Sequence, residues 1–167
     1  MSAGELLTRW TARGAMLLLV TAFTLRASSR QPGRMAVARW IWTTGCLVYL
    51  VHVACAFQFV HGWSHQAAYT ATAQQSLEIV GLDWGGGLFL NHAFTLVWLG
   101  DVCWWWLSPK SFETRPVIIG WIVEGFLAFM AVNATVVFAQ GLTRWAGLAA
   151  CFLVLAVWAG RRFFYES

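Results

Sequence analysis

Long apolar stretches, cut by short links that hold most of the basic residues, leave this chain one workable way to fold: as helices packed in a membrane. Only 11% of its 167 residues are charged and 59% are hydrophobic, which is too little polar surface for a water-soluble domain. Twelve Trp and twelve Phe point the same way, because such rings collect at membrane interfaces and between packed helices. The sequence therefore predicts an all-α integral membrane bundle of about five transmembrane helices, with residues 1–167 forming a single domain.

The first span is the shortest. Residues 14–25 are free of charge between Arg13 and Arg26, so a span over about 9–28 needs both ends to snorkel. A signal peptide competes with this reading, but no A-x-A cleavage site follows the apolar stretch. An N-terminal helix lying in the interface, with four spans after it, is the other alternative. The next spans are expected at about 37–62, 86–107, 116–140 and 144–160, with Pro116 well suited to a helix start. Residues 64–80 are more polar and read as a surface helix with Ser64 as its N-cap.

Loop charge sets the expected orientation. Arg26, Arg30, Arg34 and Arg39 crowd the first link without an acid. Lys110 and Arg115 mark the third link, and Arg161 and Arg162 follow the last span. These basic segments belong on the cytoplasmic side. The 62–86 loop carries Glu78 and Asp83 but no Lys or Arg, and belongs outside. Arg9 and Arg13 strain this assignment. The net charge of +4 is thus a matter of topology and anionic lipid, and no basic patch for nucleic acid is present. Partners are the bilayer and either other membrane subunits or further copies of the chain.

All four histidines fall between positions 52 and 92. If the second helix continues past Gly62, His61 and His65 share a face, the i, i+4 spacing that lets two imidazoles converge on one ion. His92 lies six residues into the third span, about 9 Å deep at 1.5 Å per residue. His61, His65 and His92 are therefore the expected metal ligands, with Glu78 or Asp83 as accessory ligands. His52 and His61 are nine apart, on opposite faces of a regular helix, so His52 stands apart or joins His92 in holding a b-type haem. The bland alternative is that these histidines only bond between helices.

Two carboxylates, Asp101 and Glu124, sit within spans on the opposite side of the bilayer. They read as a possible proton relay, or as partners of Arg26, Arg39 or an indole N–H. Cys46, Cys55, Cys103 and Cys151 lie in apolar segments without a CxxC and read as buried thiols. Hydrolase and nucleotide motifs are missing, and the only lysine, Lys110, lies in a loop, which disfavours a retinal Schiff base. Gly85-Gly86-Gly87 reads as a tight turn rather than a phosphate cradle. The leading expectation is a metal- or haem-binding membrane protein in redox or electron-transfer chemistry, its metal copper, iron or zinc. The competing expectations are a non-catalytic small subunit of a membrane complex and a small transporter with a proton pathway.

Overall fold

A computed structural model describes residues 2–28 and 31–165, with side chains as far as Val157. Arg30 of the first basic link lies outside the described residues, as do the side chains of Arg161 and Arg162. Among the described residues the chain is helical throughout and contains no strand. Helix α1 (Ala3–Ser28) is followed by α2 (Pro32–Ala56), which runs on through a π-turn, Phe57–His61. Then come α3 (His65–Val80), α4 (Gly87–Leu107), the short α5 (Pro109–Glu113), α6 (Val117–Val132) with a second π-turn, Asn133–Val137, and α7 (Leu142–Tyr165).

Local chemistry explains most of these boundaries. Pro32 opens α2 at a position where its missing N–H costs nothing. Ser64 has extended backbone, and its hydroxyl accepts from the Ala67 N–H at 3.1 Å, so it caps α3 as the sequence predicts. Pro116 is also extended and immediately precedes α6. Helix α1 begins earlier than the expected 9–28, because Ser2 and Glu5 form a reciprocal capping pair: Ser2 N–H donates to Glu5 Oε2 and Glu5 N–H to Ser2 Oγ.

Packing follows the chain order. Helix α1 lies along α2, α2 against α4 and α4 against α6, while α7 returns to α1 and to the second π-turn. The core is a column of side chains from four helices: Ala15 and Leu19 of α1, Trp42, Cys46 and Tyr49 of α2, Phe94, Trp98 and Trp105 of α4, and Leu127 of α6. Trp98 leans on Trp42 and Tyr49, with ring centroids 5.3 and 5.8 Å apart. Gly45 admits it, since a Cβ there would stand 3.0 Å from the Trp98 ring.

Among the described residues two helices are long and apolar enough to cross a membrane: the 30 residues Pro32–His61 and the 21 residues Val117–Val137. Helix α4 has 21 residues too, but Asn91, His92, Asp101 and its four Trp lower its mean hydropathy.

Candidate functional site

The bundle has two chemically different ends. At one of them α2 closes, α3 turns across and α4 begins. The last turn of α2 widens into the π-turn, and Trp63 N–H then reaches back to the Phe57 carbonyl at 2.9 Å. Gly62 and Trp63 both take left-handed backbone, φ 58° and 59°. That conformation is cheap for Gly62 and costly for Trp63, and it ends the helix. His61 and His65 therefore stand on two different helices rather than four apart on one.

The break brings His65 onto α4 instead. Gly85 and Gly87 let the two helices close: a Cβ on Gly85 would come 2.5 Å from the Tyr69 carbonyl oxygen, and one on Gly87 3.1 Å from Thr72. His65, exposed at the start of α3, and His92, half-buried in the second turn of α4, have ring centroids 5.6 Å apart and planes tilted by 32°. Phe89 packs beside His65 at 5.8 Å. Two imidazoles bound to one ion through nitrogens at about 2.1 Å have centroids roughly 5–6 Å apart, so this pair has the spacing of a shared ion.

The other sequence candidates lie elsewhere. His61 packs edge-on to Phe57 at 5.8 Å, and Phe57 also stacks on His92 at 6.4 Å. His52 turns towards α1, where its Nδ1 lies 2.9 Å from the carbonyl of buried Thr8. Glu78 accepts from Gln74 and stands thirteen residues beyond His65 on α3, about 20 Å along the axis. Asp83 is exposed in the turn before α4. Among the described residues no group of three or more His, Cys, Asp or Glu is placed to hold a metal ion.

The second end holds a connected set of charges. Arg115 donates to Asp101 at 2.7 Å and to Glu124 at 3.1 Å, and Arg26 donates to the same Glu124 oxygen at 2.6 Å. The Trp42 indole donates to the second Asp101 oxygen at 3.1 Å. The two carboxylates thus meet through Arg115. Of the structural partners open to them in the sequence, Arg26 and an indole are used. Arg115, which spacing alone assigns to a loop, is the addition. Gly120 lies beside it, where a Cβ would be 3.4 Å from the guanidinium, in ordinary contact. Phe112 covers the same guanidinium at 4.2 Å and that of Arg26 at 5.7 Å. Two arginines and two acids balance in charge, which is what makes so low an exposure affordable.

Cys46 and Cys55 are buried free thiols, while Cys103 is exposed and Cys151 half-buried. Comparison of the chain with protein-family models, with curated proteins and with solved structures finds no match.

Proposed function

We propose that this chain is a five-span integral membrane protein that binds a transition-metal ion at its outer end through His65 and His92. Several observations support the membrane part. In the two long apolar helices only 22% and 11% of the most apolar window is buried, unlike the core helix of a soluble protein. Large apolar side chains such as Val117, Ile118, Trp121 and Ile122 line the outside of α6. Helix α4 has the ~30 Å length a span needs, and Trp104 and Trp106 at its end, poor on a hydropathy scale, are at home in the interface. The basic links and the ionic cluster fall at one end, which is the cytoplasmic end by the positive-inside rule. At the other end the Arg13 guanidinium sits over the Trp10 ring at 5.3 Å.

The metal part rests on one observation, the 5.6 Å approach of His65 and His92. Copper, zinc and iron all take imidazole, and two side chains leave coordination positions for water or a donor from another molecule. A redox or electron-transfer role would follow for copper or iron. A b-type haem shared by His52 and His92 has less support, because His52 faces α1 and His92 faces α3. Element analysis of detergent-purified protein tests the proposal. Near-stoichiometric metal in the wild type, lost in both His65→Ala and His92→Ala, is the expected result. Folded protein that takes up no metal would leave the reading of a non-catalytic subunit. That reading is favoured by the apolar side chains left exposed on α7, among them Trp145, Phe152 and Leu155.

A further inference from the structure

We propose that Arg39, framed by Trp40 and Trp106, binds the phosphate of an anionic phospholipid at the basic end of the bundle. This rests on the membrane reading above. Arg39 lies in the second turn of α2, and its guanidinium carbon sits 4.2 Å over the Trp106 ring at the end of α4. That ring is held from below: its indole N–H donates to Thr43 Oγ1 at 2.9 Å, and the Thr43 hydroxyl donates to the Arg39 carbonyl at 2.8 Å. Trp40 meets Trp106 edge-on, with centroids 4.7 Å apart.

What sets Arg39 apart is charge. Asp101 and Glu124 are engaged by Arg115 and Arg26, and Glu113, exposed at the end of α5, makes no ion pair among the described residues. Among the described residues no carboxylate pairs with Arg39, and its Nε is buried without a hydrogen-bond partner. Arg34 and Lys110, both exposed, add positive potential nearby in the chain. A guanidinium stacked in this way, with its Nε edge turned inward, still offers the edge formed by its two Nη groups, whose planar fork matches two phosphate oxygens. Trp40 and Trp106 are 61% and 36% exposed, so the cation lies beside an apolar aromatic flank suited to acyl chains. Free phosphate would have no use for that flank, which is why a lipid is the proposed occupant.

The test uses the whole protein in nanodiscs of phosphatidylcholine, with and without phosphatidylglycerol. Lipid retention is read by native mass spectrometry and stability by thermal unfolding. Wild type is expected to retain phosphatidylglycerol about fivefold over phosphatidylcholine and to melt higher in its presence. Arg39→Gln is expected to lose both effects at unchanged helix content, while Arg9→Gln, near the opposite end of α1, keeps them. Arg39→Lys, which retains the charge without the fork, is expected to fall between, and it decides the matter if the Gln variant fails to fold. Equal retention in wild type, or wild-type selectivity in the Arg39 variants, would overturn the proposal. So would inorganic phosphate reproducing the stabilisation in phosphatidylcholine alone. Protein that stays in solution without detergent and never enters the discs would overturn the membrane reading along with it.

Discussion

Arg115 and Asp101 form a 2.7 Å ion pair whose side chains are only 8% and 1% exposed, although they are fourteen positions apart in the chain. The pair fastens the link after α4 to the interior of the bundle. Trp42 and Glu124 extend it to α2 and α6, and Arg26 to α1.

Asp101→Asn should therefore cost more than Glu124→Gln. It leaves Arg115 buried beside a neutral amide, a loss of about 3 kcal/mol for a broken buried pair. Glu124→Gln should cost only about 1 kcal/mol, because the Glu124 side chain is 42% exposed and screened. Chemical unfolding in detergent measures both. Equal losses would mean that the cluster is not organised around Asp101.

Gly85→Ala should loosen α3 from α4. The added methyl would press on the Tyr69 carbonyl, which is backbone and cannot swing aside. A destabilisation of about 2 kcal/mol is expected, typical of overpacking. Metal uptake should fall with it, since His65 rides on α3. Normal uptake in a destabilised Gly85→Ala protein would separate the histidine pair from this helix contact.

His52→Ala should lower stability by about 1 kcal/mol, the net worth of its bond to Thr8. Metal content should stay at the wild-type level. Loss of metal in this variant would return His52 to the binding site.

Much of the helix order was legible in the sequence for identifiable reasons. Ser64 and Pro116 act through their own backbone chemistry, so α3 and α6 start where such residues place them, whereas α2 opens at Pro32, five residues before the expected 37. The polar 64–80 stretch stood out from its apolar neighbours in the same way. The histidine geometry was less legible. Its outcome depends on a left-handed Trp63, a conformation that no propensity favours and that tertiary contacts must impose. Arg115 was hidden for a similar reason: its partner Asp101 is set by how the link folds back, which spacing along the chain does not encode.

The most direct test is to count the nitrogens on the bound ion. Protein loaded with copper(II) is expected to give an electron paramagnetic resonance spectrum with coupling to two imidazole nitrogens in the wild type, and no specific copper signal in His65→Ala or His92→Ala. A copper signal with the same nitrogen coupling in all three proteins, or no specific copper signal in the wild type, would contradict the assignment of these two residues as ligands.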